Sequence, residues 1–322
     1  MIEKTDFEKK QILFVFSNDG EKIAFKNDNI IIKTKDGGIK YQLTCYRLFA
    51  LYIVGDTSIT TVVIKSAQKF GYLVFLLTSG FKIYGFFGKY LEGNTVLHHK
   101  QYEYTSSDLA NYIVKNKISN QRNMLNFIRD KTEDCKNAIC KLDNYIDKLS
   151  RERYGFDELL GVEGAASRIY FPQIFNNVNW KGRKPRVKYD YINASLDIGY
   201  TLLFNMIDSL LRVYDFDLYC GVYHKEFYLR KSLVCDLMEP IRPLVDYKLR
   251  KAINLGQCKE DDFKKINQKY VLEYKNSPKY VKLFLETIIE RKEDIFIFIQ
   301  NYYRSFMKAD TSNPISYHFF EV

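Results

Sequence analysis

The chain has 322 residues, 46% of them hydrophobic, and a formal net charge of +10 from 49 Lys and Arg against 39 Asp and Glu. That length suits about two domains at roughly 150 residues each, with apolar material for real cores, and the basic balance favours polyanionic partners, nucleic acid before anionic membrane. Six cysteines without a Cys-x-x-Cys pair argue against zinc knuckles and a disulfide scaffold. No apolar run approaches the roughly 20 residues that a bilayer crossing needs. The N-terminus, Met-Ile-Glu-Lys-Thr-Asp-Phe-Glu-Lys-Lys, lacks a basic start followed by an apolar core. A cytoplasmic chain with reduced thiols and no membrane contact is expected.

The N-terminal part reads as strands: Gln11–Phe16, closed by a turn at Asn18-Asp19-Gly20, then Ile23–Phe25, Ile30–Lys33, Ile39–Leu43, Ile59–Ile64, Tyr72–Leu77 and Phe81–Phe86. Asp36-Gly37 and Ser79-Gly80 mark tight turns, because Gly accepts the positive φ they require. With one short helix near Ser66–Phe70, this predicts a small β-sandwich or β-roll. Gly93-Asn94 and the polar stretch to Tyr104 read as a linker. The period then changes. Ser106-Ser107-Asp108 offers a helix N-cap, and Ile139, Leu142, Ile146 and Leu149 recur at helical spacing. Helical patterns continue through Tyr191–Tyr214, Ser232–Ile253 and Lys279–Phe306, with Pro240 and Pro243 breaking the second near Glu239. The expected fold class is α+β multidomain: a small β-rich N-terminal domain with its linker over 1–104, then a larger all-α domain over 105–322.

Candidate chemistry lies in the helical part. Glu163 stands among small residues, Gly161-Val162-Glu163-Gly164-Ala165-Ala166-Ser167, which permit close approach of a backbone or a substrate strand. A surface Glu at a helix start is the alternative. Further on come His224, Asp236 and Glu239. The spacing of the last two lets both carboxylates share a helical face, and Leu233, Val234, Leu237 and Met238 around them argue for partial burial. Two carboxylates and one imidazole suit Mg²⁺ or Mn²⁺ with positions left for water and phosphate oxygens. Such chemistry needs no Ser or Cys nucleophile. No Walker pattern is present, and no Gly-x-Gly-x-x-Gly follows a strand. Between Glu163 and His224, Lys181, Arg183, Lys184, Arg186 and Lys188 put five cations within eight residues beside Trp180 and Tyr189. A solvated face would look the same, but such a loop can also neutralise DNA phosphates. Arg230, Lys231 and Arg242 could add phosphate contacts.

These residues resemble a known family. Glu163-Gly164-Ala165-Ala166, Arg183-Lys184-Pro185, Asn193-Ala194, Gly199-Tyr200-Thr201-Leu202-Leu203, His224, Asp236-Leu237-Met238-Glu239 and Arg242-Pro243-Leu244-Val245-Asp246 occur in the order found in the CRISPR-associated integrase, the Cas-one family. The resemblance by motif spans Glu163 to Asp246; the N-terminal part is compatible but carries no matching motif. It implies a β-rich dimerisation domain and a helical catalytic domain that binds metal and DNA. It also implies joining of the 3′-hydroxyl ends of short DNA fragments into the CRISPR repeat. Glu163, His224 and Glu239 then correspond to the ligands of Mg²⁺ or Mn²⁺. Asp236 matches an acidic position that some members use at or beside the site. Other members carry Asp where this chain has Glu239, so the division of labour between Asp236 and Glu239 stays open. Arg230-Lys231-Ser232-Leu233 fits the family's Arg-x-Ser-Leu, with Leu229 where a glycine often stands.

The implied partners are double-stranded DNA (spacer fragment and repeat), a second copy of the chain, and a small Cas-two protein bridging two dimers. Lys181, Arg183, Lys184, Arg186, Arg230 and Arg242 are the candidate DNA contacts. Two other functions are kept: a structure-selective endonuclease on branched DNA, using water in the same pocket, and a DNA-end-binding scaffold without chemistry.

Overall fold

The computed structural model describes residues 3–17, 20–88, 93–178, 180–185, 187–309 and 314–322. A short helix α1 (Lys4–Glu8) precedes β1 (Gln11–Phe16), β2 (Lys22–Lys26), β3 (Asn29–Lys33), β4 (Ile39–Thr44), β5 (Leu48–Val54), α2 (Thr61–Phe70), β6 (Leu73–Leu77) and β7 (Ile83–Gly88). All belong to the first of two compact units, Met1–Asn94 with Ser209–Asp215. β2, β3 and β4 form an antiparallel sheet. The second sheet has the order β1-β5-β6-β7, with β1, β5 and β6 parallel and β7 antiparallel. The turn expected at Asp36-Gly37 joins β3 to β4, with Gly37 at φ +87°. Asn18 and Asp19 of the first expected turn lie outside the described residues.

The sequence reading contains no strand over Leu48–Val54, where seven apolar residues run without alternation. That run is β5, buried along its whole length between β1 and β6, as a central parallel strand covered on both faces must be. Ile59–Ile64, expected as a strand, is corrected to the entry of α2, whose Val63, Ser66 and Ala67 face inward at helical spacing. A mixed sheet with a helical crossover between β5 and β6 replaces the expected β-sandwich or β-roll, since parallel neighbours need such a connection. Val15, Ile23, Ile30, Ile32, Leu51, Ile53, Val63 and Val74 form one core shared by both sheets and α2. Strand alternation sends Phe14, Tyr52, Phe75 and Phe86 to the other face, where they stand in register with centroids 4.6, 5.0 and 6.2 Å apart. Ser209 and Arg212 meet this row: the serine hydroxyl bonds to that of Tyr52, and the guanidinium lies 3.8 Å from the Phe86 ring centre.

The second unit is Thr95–Asp208 with Phe216–Val322. Its first element corrects the expected linker, since α3 (Thr95–Glu103) is helical. Gln101 is buried there and bonds both ways to the Asp217 main chain, accepting at 2.9 Å and donating at 3.1 Å, a tertiary contact that sequence periodicity does not register. Then follow α4 (Asp108–Asn126), α5 (Glu133–Arg151), α6 (Phe156–Ile174), α7 (Tyr191–Val213), α8 (Ser232–Met238), α9 (Arg242–Asn254), a small hairpin of β8 (Phe263–Ile266) and β9 (Lys269–Leu272), α10 (Ser277–Glu290) and α11 (Lys292–Lys308). The helical pattern read over Lys279–Phe306 is thus two helices, divided at Arg291. The fold class is as expected, strands followed by helices, with one hairpin added. No helix among the described residues is long and apolar enough to cross a membrane.

α4 is enclosed by its neighbours, burying Ile113, Val114, Ile118, Met124 and Leu125. Close packing of α7 on α9 and α10 depends on Gly199: a Cβ there would stand 2.5 Å from Val245 Cγ1 and 2.9 Å from the Phe284 ring. Gly199→Ala is therefore expected to cost about 1–3 kcal/mol. Urea unfolding followed through Trp180, the single tryptophan, packed against Phe171 and Phe175 in this unit, measures it. An unchanged midpoint would mean that the helices part freely.

Candidate active site

Proline dictates the local geometry at Glu239. Pro240 and Pro243 each remove a helical N–H donor and crowd the preceding turn, and here α8 ends at Met238, a single 3₁₀ turn spans Glu239–Ile241, and α9 begins at Arg242. The turn leaves the Pro240 carbonyl without a helical partner, and Asn120 of α4 donates to it at 2.7 Å. Glu239 is thereby turned inward and is only 2% exposed. Arg242 Nη1 lies 2.9 Å from its Oε1, and Lys117 Nζ lies 2.6 Å from its Oε2.

Lys117 sits one helical turn before Asn120 on α4 and also pairs with Glu163. Glu163 is not at a helix start: it lies well inside α6, which is capped at Gly155, and Tyr223 donates to its Oε2. Burial would raise the Glu163 carboxyl, but Lys117, the Tyr223 hydroxyl and Arg242 outweigh it and hold the group down at about 2. Burial likewise works to lower the Lys117 ammonium, and Glu163 and Glu239 override it, raising the group above its ordinary value. Sequence reasoning missed Lys117. Its signal was there: Asn116, Lys117, Asn120 and Gln121 are polar residues buried in a helix otherwise packed by Ile113, Val114, Ile118 and Met124.

Asp236 and Glu239 do not converge, contrary to the expectation from their spacing. The fully buried Asp236 carboxylate faces the 222–224 loop instead. Its Oδ2 accepts from the main-chain N–H groups of Val222 (2.7 Å) and Tyr223 (3.0 Å), and its Oδ1 accepts from His224 N at 3.0 Å. His224 Nδ1 lies 2.6 Å from Oδ1. A carboxylate in that position makes Nδ1 the donor, so that in the neutral ring Nε2 is the nitrogen that carries the lone pair. Gly221 makes the approach possible, because a Cβ there would come within 2.8 Å of Asp236 Oδ2 and 2.7 Å of Ser232 Cβ.

Over residues 13–286 the sequence matches the family described as CRISPR associated protein Cas1. The chain belongs to the Cas1 family. It is 34% identical over 253 residues to a "CRISPR-associated endonuclease Cas1 1" of Thermodesulfovibrio yellowstonii, covering 74% of this chain and 77% of that one. Its fold is similar to that of a casposase bound to integration product, with a TM-score of 0.76 at 18% identity over 97% of this chain and 94% of that one. It is also similar to a chain of a Cas6-RT-Cas1–Cas2 complex, with a TM-score of 0.76 at 21% identity over 96% of this chain. This chain spans 36% of that longer one.

Leu229, just before Arg230, has φ +58°, a left-handed conformation that glycine adopts without strain. It ends an exposed apolar tip, Phe227 (75%), Tyr228 (85%) and Leu229 (73%).

Of the candidate DNA contacts, Lys181 and Lys184 are exposed, and Arg186 lies outside the described residues. Arg183 is turned inward, with Nη2 2.6 Å from Asp197 Oδ1 and Nη1 3.0 Å from Asn193 Oδ1. Arg183 and Arg242 both lie over the Tyr200 ring, at 5.2 and 5.0 Å. Arg230 and Arg242 each keep a buried Nε without a hydrogen-bond partner.

The donor set suits a hard divalent cation in type: two carboxylates, and one imidazole nitrogen with its lone pair available. Glu239 Oε2 is a buried oxygen whose ion-pair partner is the Lys117 ammonium at 2.6 Å. Among the described residues no group of three or more His, Cys, Asp or Glu is arranged to hold an ion. The cation between Glu163 and Glu239 is Lys117.

Two outcomes test this geometry. Asp236→Asn sets an amide NH₂ against main-chain N–H groups and is expected to cost about 2–4 kcal/mol. A melting temperature equal to wild type would refute the loop-holding role. Asp246, 1% exposed, accepts from the Tyr200 hydroxyl; burial raises its carboxyl to about 6, and Tyr200 draws it only partly back. Its unfolded value is near 3.9, so the folded chain binds the extra proton between these two pH values and loses stability as pH rises through them. Asp246→Asn escapes that loss. The stability difference, variant minus wild type, should move in favour of the variant by up to about 3 kcal/mol between pH 4 and pH 8. A pH-independent difference would exclude the effect.

Proposed function

We propose that this Cas1-family chain is the DNA-joining enzyme of CRISPR spacer acquisition. In this reading the 3′-hydroxyl of a short duplex fragment attacks a phosphodiester of the CRISPR repeat. A new O3′–P bond forms as the P–O3′ bond of the target strand breaks; the proton of the attacking hydroxyl passes to solvent and the departing O3′ takes one up from solvent to leave as a hydroxyl. The observation that carries the reading is that Glu163 of α6 and Glu239 of the α8–α9 break, distant in sequence, meet at one cation in the unit that also holds the His224–Asp236 pair.

Glu163, His224 and Glu239 are the proposed holders of Mg²⁺ or Mn²⁺, which when bound would stabilise negative charge on the phosphodiester oxygens as a Lewis acid. Asp236 acts through His224: by occupying Nδ1–H it keeps the ring in one tautomer and one orientation. This assigns Glu239 to the ligand set and Asp236 behind it. Arg230 and Arg242 are the proposed contacts to phosphate oxygens beside the metal. Lys181 and Lys184, with Arg186, would hold duplex backbone, while Arg183 braces their loop through Asp197. Ser and Cys nucleophiles have no part in the step.

The active assembly proposed is a homodimer through the β-rich unit, with a small Cas2 protein bridging two dimers in the cytoplasm. The similarity to a chain of a Cas1–Cas2 complex supports the Cas2 partner. The endonuclease named for the relative is the same step with water as nucleophile.

Transfer of a labelled short duplex into repeat-bearing supercoiled plasmid tests this, with Mg²⁺ or Mn²⁺ and with or without Cas2. Label should enter the plasmid only with donor present, and Glu163→Ala, His224→Ala and Glu239→Ala should each reduce it at least roughly a hundredfold. Plasmid nicking without label would favour the endonuclease. DNA binding with neither product would leave only a DNA-end-binding scaffold.

A further inference from the structure

Lys117 has no place in the scheme so far, and its position calls for one. The side chains of Glu163 and Glu239 are 17% and 2% exposed, that of Lys117 is 8%, and a carboxylate pair left bare at such depth is strongly destabilising. Lys117 reaches both acids and Arg242 reaches Glu239, so two negative and two positive groups leave the cluster neutral. Among the buried residues of α4, Lys117 is the one that carries a charge; the others are apolar or, like Asn116, Asn120 and Gln121, neutral amides. The one ammonium touches an oxygen of each acid, so an ion in its place would meet the same two oxygens. A lysine is a point charge on a flexible four-carbon stem, so it can withdraw while α4 stays in place.

We propose that Lys117 is a built-in substitute cation, which holds Glu163 and Glu239 together until the divalent ion arrives and then cedes the pair to it. This rests on the metal-dependent reading above. The exchange alters the electrostatics in a useful direction. A divalent ion in place of the ammonium leaves the two carboxylates, the ion and Arg242 with one positive charge in excess, which favours entry of a phosphodiester anion. Metal affinity is then limited by competition with Lys117, and ion and DNA phosphate load cooperatively.

Calorimetric titration of the full chain with Mn²⁺ in the absence of DNA tests this, together with thermal unfolding with and without Mn²⁺. Wild type is compared with Lys117→Met and with Lys117→Met/Glu163→Gln. Lys117→Met should bind Mn²⁺ at least about tenfold more tightly than wild type. Without Mn²⁺ it should melt below wild type, and Mn²⁺ should restore it. The double variant, with one carboxylate fewer, should regain most of the metal-free melting temperature and lose the tight Mn²⁺ binding. Equal or weaker Mn²⁺ affinity in Lys117→Met overturns the proposal while leaving the metal reading intact. If neither wild type nor Lys117→Met binds Mn²⁺, the metal reading falls and the inference with it. If Lys117→Met does not fold without Mn²⁺, the double variant decides, and one equally unable to fold overturns the proposal.

Discussion

Burying two carboxylates in a helical interior is the constraint on which the second unit depends. A desolvated carboxylate is tolerable only beside a cation or several donors, and here the compensation comes from three directions. α6 brings Glu163, the proline-broken junction of α8 and α9 brings Glu239 with Arg242, and α4 brings Lys117. One face of α4 also closes the surrounding structure. Asn120 satisfies the free carbonyl of the break at 2.7 Å, and Asn116 and Asn120 each donate to the Phe320 carbonyl of the C-terminal tail at 2.8 Å. The polar groups that neutralise the acids and those that hold the chain around them therefore lie on the same two turns of helix. Chemistry and fold cannot be varied independently there.

Asp236 solves a separate problem in the same unit. A loop that presents a histidine must fix both its main chain and its ring, and one carboxylate does both, accepting from three consecutive main-chain N–H groups and from the imidazole. Its oxygens are then spent on that loop, whereas Glu239 faces Lys117 and Arg242. The absent side chain of Gly221 is part of the device, since any Cβ would intrude on that carboxylate. The β-rich unit follows a different logic. Its interior is apolar on one side of the β1-β5-β6-β7 sheet and aromatic on the other, and its order is set by strand register rather than by buried charge.

Much of this was legible in the residues. Alternating runs located most strands, helical spacing located the long helices, and the two prolines located the break at Glu239, because each of these is a short-range consequence of backbone geometry. The motifs from Glu163 to Asp246 were enough to indicate the Cas1 family. The failures share a cause as well. β5 was invisible because a strand covered on both faces has no alternation, and α3 read as linker because the packing of Gln101 depends on Asp217, far along the chain.

By itself, then, the sequence determined the change from strands to helices and the family, and singled out a few acidic and imidazole groups as candidates. Only the tertiary structure decided which partners those groups meet. Spacing alone allowed Asp236 and Glu239 to act together, but the 3₁₀ turn at Glu239 and the loop at 222–224 send them to different partners. Nor could spacing reveal that Lys117 lies between Glu163 and Glu239. Local pattern reports which face of an element is buried, whereas the pairing of buried charges is settled by which elements pack against one another.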